Sequence, residues 1–302
     1  LHVRSRRQRQ MCIRDSLTSI PDFTEAGPAI AKRWQDRFGQ PVDGVIAVDA
    51  VMTENLVAAT GPLAFGPFTA TEDTVVDLLL SEIYAAVPDP LAQDEIFSQA
   101  AGALLSAALT EADPKDLVAA LSASADERRI RIWSAHEDEE AILSASSLGG
   151  ALPEDDTQTH VGVLLNDTTG GKMDFYADAT ITTSIGTCDG EQTTQVTVTW
   201  KNDAPADAGT SLPPYVTADG FYGVPAGSTR TLVTVYGPEG ATPSHIDRDG
   251  EEVGVQTALL GSRSAVQQEV LLAPGESSKI TVEFQGTGAG ERLTVVDHTP
   301  MV

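Results

Sequence analysis

The spacing of apolar residues changes once along this chain, and that change limits the folds open to it. Before Pro153-Glu154-Asp155-Asp156 the apolar residues recur at helical intervals; beyond it that period disappears and Thr, Val and Gly dominate. Eight short runs then read as strands: His160–Leu165, Met173–Ile185, Gln192–Trp200, Thr231–Tyr236, Val253–Leu260, Ala265–Leu272, Lys279–Phe284 and Arg292–Val296. Turn signals separate them at Thr169-Gly170-Gly171, Asp189-Gly190, Asp249-Gly250 and Pro274-Gly275. Short strands at such spacing predict an antiparallel β-sandwich of immunoglobulin-like type.

The first half reads differently. Val42, Val45, Ile46 and Val48 form a nearly continuous apolar run, which predicts a strand covered on both faces. Asp49 stands at the N-cap of the helix that follows, with Met52, Leu56 and Ala59 on one face and Thr60-Gly61-Pro62 as its stop. An earlier helix, capped by Asp22 or Thr24, carries Ala26, Ile30, Trp34 and Phe38 to a Gly39 end. Thr71 opens another helix, with Val75, Val76, Leu79, Leu80 and Ile83 as its buried stripe. A longer one runs from Ala92 to Ala112, and Asp113-Pro114 begins the next. Arg129–Trp133 alternates as a strand, and Ser134 with Glu137 forms a capping box for the helix after it.

The fold expected is therefore α+β with two domains. Residues 1–16 form a non-native, adapter-like segment; 17–155 an α/β domain truncated at its N-terminal side; 156–302 a β-sandwich truncated at its C-terminal side. The first sixteen residues carry five arginines against one acid. Without them 14 basic residues face 43 acidic ones, a net charge of −29, and a field of that sign repels nucleic acid and anionic lipid. Cys188 is then the sole cysteine, which excludes an internal disulfide and a CxxC metal site. No apolar run reaches the ~20 residues that span a bilayer.

Several residues are weighed as sites. Asp49, at a strand's end and a helix's start, is a helix cap before it is a ligand contact. Asp22, Asp43 and Asp49 together are the residues to test for a divalent cation, though no metal site is assigned. His136-Glu137-Asp138-Glu139-Glu140 places acids where a helix dipole favours them and reads as a solvated face. Asp247-Arg248-Asp249-Gly250 lacks the remaining ligands of a calcium loop and reads as a hairpin turn. Gly286 to Gly290 has neither Lys nor a following helix and reads as a turn rather than a phosphate loop. Cys188 has no matched histidine, and Trp133 and Trp200 read as core anchors rather than sugar platforms. No catalytic residue and no cofactor is assigned.

The blocks VDGVIAVDAVMTENLVAATGPL, RIRIWSAHEDEEAILSASSLGGALPED, VGVLLNDTTGGKMDFYADATI, VTWKNDAP, LPPYV, TRTLVTVYGPEGA and LLAPGESSKITVEF follow one another between Leu17 and Val302. In that order they resemble the DUF4012 family of actinobacterial envelope proteins. The resemblance implies a location on the outer face of the cell membrane and an anchor missing from this chain. It also implies a role in binding or presenting cell-wall or capsular polysaccharide. VDGVIAVD followed by ATGPL is also similar to the LytR-CpsA-Psr phosphotransferases, which implies an alternative, a glycopolymer phosphotransferase with its catalytic residues in a missing N-terminal part. The pyrophosphate-binding residues of those enzymes have no counterpart here.

Overall fold

The computed structural model describes residue 17 and residues 20–151, 158–254, 256–286 and 294–301. The chain separates into two compact units, residues 1–152 and 153–302. The polar break at Pro153–Asp156 lies outside the described residues.

The first unit is mostly helical. Its first described helix, Phe23–Phe38, is capped by Asp22, whose carboxylate accepts the Thr24 N–H at 2.9 Å, and ends at Gly39 with φ 72°. The strand β1 (Gly44–Val48) and helix Met52–Thr60 follow, then the short hairpin of β2 (Leu63–Phe65) and β3 (Phe68–Ala70). Helices Pro90–Thr110 and Pro114–Asp126 each have an Asp cap and Pro in the first turn. Strand β4 (Ile130–Ser134) then pairs antiparallel with β1, with Ile46 opposite Ile132 and Val48 opposite Ile130.

This pairing corrects the expectation for β1. The strand is not covered on both faces, because Ile46 and Val48 are 65% and 52% exposed. Helices Met52–Thr60 and Pro114–Asp126 pack over the β4 side of this sheet, where Ile130 is buried with Met52, Leu56 and Ala120. An apolar run reports β propensity and does not report how many neighbours the strand will have. The described strands of this unit pair antiparallel, so among the described residues there is no parallel α/β sheet at whose carboxyl edge Asp49 could stand.

The helical run after Thr71 also departs from its expected stripe. It consists of Val75–Asp77, a π-helical turn at Leu78–Glu82, and Ile83–Ala86. Val75, Leu78 and Ile83 are buried rather than the Leu79–Leu80 pair. The five-residue step from Leu78 to Ile83 is what a π turn produces, since one extra residue delays the buried face.

The second unit is a sandwich of two five-stranded sheets with orders β10-β9-β13-β7-β6 and β11-β12-β8-β5-β14. The first comprises β6 (Ala177–Cys188), β7 (Glu191–Asn202), β9 (Thr242–Arg248), β10 (Glu251–Glu252) and β13 (Ser277–Gly286). The second comprises β5 (Thr159–Asp167), β8 (Thr229–Glu239), β11 (Gln256–Leu260), β12 (Arg263–Leu272) and β14 (Thr294–His298). Their inner faces share one apolar core, with Trp200, Val198, Ile280 and Phe284 from one sheet against Val161, Val163, Val233 and Val270 from the other. Strand β14 runs parallel to β5, a departure from the wholly antiparallel sandwich expected. The expected strand over Met173–Ile185 begins only at Ala177, after a 3-10 turn at Met173–Tyr176. Strands β9 and β10 were not legible, because Ile246 is the one buried side chain of β9.

Asn202, fully buried at the end of β7, joins the two sheets. Its amide donates to Gly227 O at 3.0 Å and Leu272 O at 3.2 Å, and its carbonyl side-chain oxygen accepts the Ala204 N–H. Replacing Asn202 with Ala leaves buried backbone carbonyls without donors, and the expected cost is about 1–3 kcal/mol in chemical denaturation. A change below the error of such a measurement would show that the amide does not hold the sheets together.

Candidate functional site

Asp49 is where the sequence pointed first. One carboxylate oxygen accepts the Met52 N–H at 2.7 Å, and the other accepts from the Arg129 guanidinium at 2.7 Å. Arg129 also binds Glu127 at 2.6 Å. Burial works against the charge of this guanidinium, and its hydrogen bonds to Glu127 and Asp49 more than offset that, so its pKa rises. The N-cap position expected for Asp49 is held by Val51, which makes no side-chain cap; Asp49 instead lies one turn earlier, accepts the N–H of the first helical residue, Met52, and ties the start of the helix Met52–Thr60 to the approach of β4, 80 residues away in sequence.

The structure gives the other acids of that group different partners. Asp22 caps the helix Phe23–Phe38, while Asp43 is almost fully exposed and faces the His136 imidazole at 3.7 Å. Among the described residues no cluster of three or more His, Cys, Asp or Glu is placed to hold a metal ion. The acids after His136 do more than face water. Ser134 Oγ donates to Glu139 at 2.6 Å, and the Ser134 N–H donates to Glu140 at 2.9 Å. The expected box of Ser134 with Glu137 does not form: His136 holds the N-cap without a side-chain bond, and Glu139 and Glu140 reach back to Ser134 at the end of β4. Trp133 packs on Gly27, where an added Cβ would come within 2.4 Å of Trp133 Cβ and 2.5 Å of its indole Cγ. Trp200 is 1% exposed in the sandwich core.

Asp189-Gly190 and Asp249-Gly250 are two-residue hairpin loops with both φ values positive. Asp249 also accepts from Ser278 Oγ and the Lys279 N–H, at 2.9 and 2.7 Å. Cys188 is a free, exposed thiol beside the first loop. Of the stretch from Gly286 to Gly290, residues 287–290 lie outside the described residues.

A second constellation, at one end of the sandwich unit, was not singled out by sequence. The turn after β5 is organised by Asp167, whose carboxylate accepts from Thr169 N–H at 2.9 Å and Gly170 N–H at 2.7 Å. Against this turn lies the long loop between β7 and β8. The Lys172 N–H donates to Val216 O at 2.8 Å, and a Cβ on Gly170 would come within 3.2 Å of the Tyr222 ring. The loop holds short helices at Ala208–Ser211 and Pro214–Thr217, and Ala218 and Asp219 adopt positive φ. It presents Tyr215, Phe221 and Tyr222 at 45%, 74% and 42% exposure, with the last two rings edge to face at 5.1 Å.

Asp174 stands beside Asp167. Burial, followed by the like charge of Asp167, pushes its carboxyl up to about 6 from the ordinary 3.8, against a smaller opposing pull from Lys172. The residue nonetheless has an exposed surface, so water screens much of that effect. Sequence could not foresee this pairing, since seven residues and a turn separate the two acids.

Two outcomes follow. Asp49→Ala loses both the bond to Met52 N–H and the ion pair and costs about 1–2 kcal/mol, read from the urea midpoint. Asp49→Asn keeps an acceptor for Met52 and costs less; equal losses would remove the Met52 bond from the account. The raised carboxyl of Asp174 penalises the folded state above pH 6, and that penalty is relieved as pH falls towards 4. Asp174→Asn is therefore expected to raise Tm at pH 7.5, with the gain gone by pH 4; a gain independent of pH would contradict this cause.

No curated protein matches the chain. Two solved structures align with 43% of this chain and 20% of theirs. One is a two-domain M1 zinc metallopeptidase mutant bound to L-tryptophan, at 13% identity and TM-score 0.18. The other is an M1 zinc metallopeptidase from Deinococcus radiodurans, at 14% identity and TM-score 0.18. Alignments this loose carry no argument about fold or chemistry. A family model described as "Protein of unknown function (DUF4012)" matches residues 3–84, which include most of the segment read as adapter-like and the whole of the β1 block. The resemblance read from the first of the sequence blocks is therefore shown over residues 3–84, and the family it points to is DUF4012.

Proposed function

We propose that this is an extracytoplasmic cell-envelope protein whose sandwich unit binds cell-wall or capsular polysaccharide. The observation that carries this reading is the exposed aromatic group of Tyr215, Phe221 and Tyr222 on an anchored loop. Aromatic rings bury sugar C–H faces while the hydroxyl of a tyrosine keeps a hydrogen bond, and rings held in place lose little freedom on binding. The loop is held at three points: by the Asn202 amide on Gly227, by the Lys172 N–H on Val216, and by the Gly170 turn beneath Tyr222. Around it the chain is strongly acidic, with a net charge of −25, which disfavours nucleic acid and anionic lipid as partners.

The envelope location rests on the DUF4012 resemblance. Among the described residues no helix is long and apolar enough to cross a membrane, so attachment to one would need a segment other than these helices.

Affinity electrophoresis in gels carrying wall or capsular polysaccharide tests the binding. Retardation of the native protein is expected, and Phe221→Ala with Tyr222→Ala should weaken it about fivefold or more, on the scale of one aromatic contact. Circular dichroism establishes that the variant is folded. Retardation unchanged in that folded variant would remove the aromatic loop from any binding role.

A further inference from the structure

We infer that the aromatic face at this end of the sandwich selects glycans that carry positively charged amino groups over neutral or anionic ones. The inference rests on the polysaccharide-binding reading and names its ligand class. It is carried by the charge that surrounds the exposed rings.

The loop from Asp203 to Thr229 contains Asp203, Asp207 and Asp219 and no lysine or arginine. Asp219 is exposed two residues before Phe221, in the bend where Ala218 and Asp219 have φ of 56° and 46°. On the opposing turn, Asp167 is fixed by the Thr169 and Gly170 amides, and Asp174 lies beside it. Tyr222 packs directly on Gly170, so the ring edge and the Asp167 turn form one continuous surface.

The basic groups nearby are few. Lys172 lies on the turn itself, Lys201 is paired with Asp203, and Arg230 bonds Thr168 with Glu269 at 3.8 Å. A neutral sugar would use the rings and leave the carboxylates to water. A uronic acid or phosphodiester polymer would meet like charge. An ammonium group on the sugar would meet both an aromatic face, with which cations interact favourably, and the carboxylates of the loop and the opposing turn.

Asp174 also gives the preference a pH dependence. Burial and the like charge of Asp167 push its carboxyl up to about 6, so below that pH one negative charge leaves the face.

The test uses the full chain and calorimetric titration with three hexasaccharides. These are N,N,N-trimethyl-chitohexaose, whose positive charge is fixed at all pH, N-acetylchitohexaose, which is neutral, and oligogalacturonate, which is anionic. The expected order of affinity is cationic, neutral, anionic, with about a fivefold preference for cationic over neutral at pH 7.5 and low salt. The preference should fall at pH 5 and in 1 M NaCl. Asp174→Asn combined with Asp219→Asn should bring the cationic sugar to the level of the neutral one while leaving neutral binding intact.

Equal affinity for the cationic and neutral sugars in the native protein overturns the inference and leaves the polysaccharide reading standing. So does a charge preference that survives in the folded double variant. Competition by hexalysine as effective as by the cationic sugar would assign the face to basic peptides and likewise overturn it. If none of the three sugars binds and wall and capsular polymers fail as well, the polysaccharide reading falls first.

Discussion

The sandwich unit depends on one buried amide. Asn202 ends β7 in one sheet and donates to carbonyls at the end of β12 and before β8 in the other. Apolar packing between Trp200, Phe284 and the valines of β5 and β8 supplies most of the drive to bring the sheets together, but such packing has no direction. The hydrogen bonds of Asn202 do. They fix where the loop after β7 leaves the core and where it returns at Gly227, and so the aromatic residues stand on a frame instead of a free tether.

The same division of labour recurs in the first unit on a smaller scale. Asp49 satisfies the start of one helix and binds Arg129 at the entry to β4. A side chain just before a helix thereby becomes a long-range tie, because a carboxylate has two oxygens and the Met52 N–H needs only one. The acids after His136 behave similarly, using Glu139 and Glu140 to hold the end of β4 at Ser134.

These ties explain what sequence could show and what it could not. Caps, stops and two-residue turns are local, and Asp22, Asp113, Gly39, Asp189-Gly190 and Asp249-Gly250 were readable for that reason. Seven of the eight expected strands match observed ones to within a few residues, since alternation survives where one face is buried. Failures occurred where the outcome depends on distant neighbours. The exposure of Ile46 and Val48 depends on which side of the sheet the helices cover, the π turn at Leu78–Glu82 on packing, and the strand β9 on a partner it meets only in the fold. The second site was hidden for the same reason: Asp167, Asp174, Tyr215, Phe221 and Tyr222 are dispersed over 56 residues and come together only when Val216 meets Lys172.

The parallel pairing of β14 with β5 has a mechanical consequence. Thr294 to His298 run alongside Thr159 to Val163 in the same direction, so the chain enters this unit at one end of the pair and leaves at the other. Tension applied through those two ends pulls the strands past each other along their length. Their hydrogen bonds then carry the load together rather than opening one at a time, which raises the barrier that governs forced unfolding. The Thr299 hydroxyl, accepting from Leu165 N–H across 134 residues of sequence, adds one more bond to that clasp. Pulled through those two ends, the unit resists by shear along β5 and β14 rather than by unzipping.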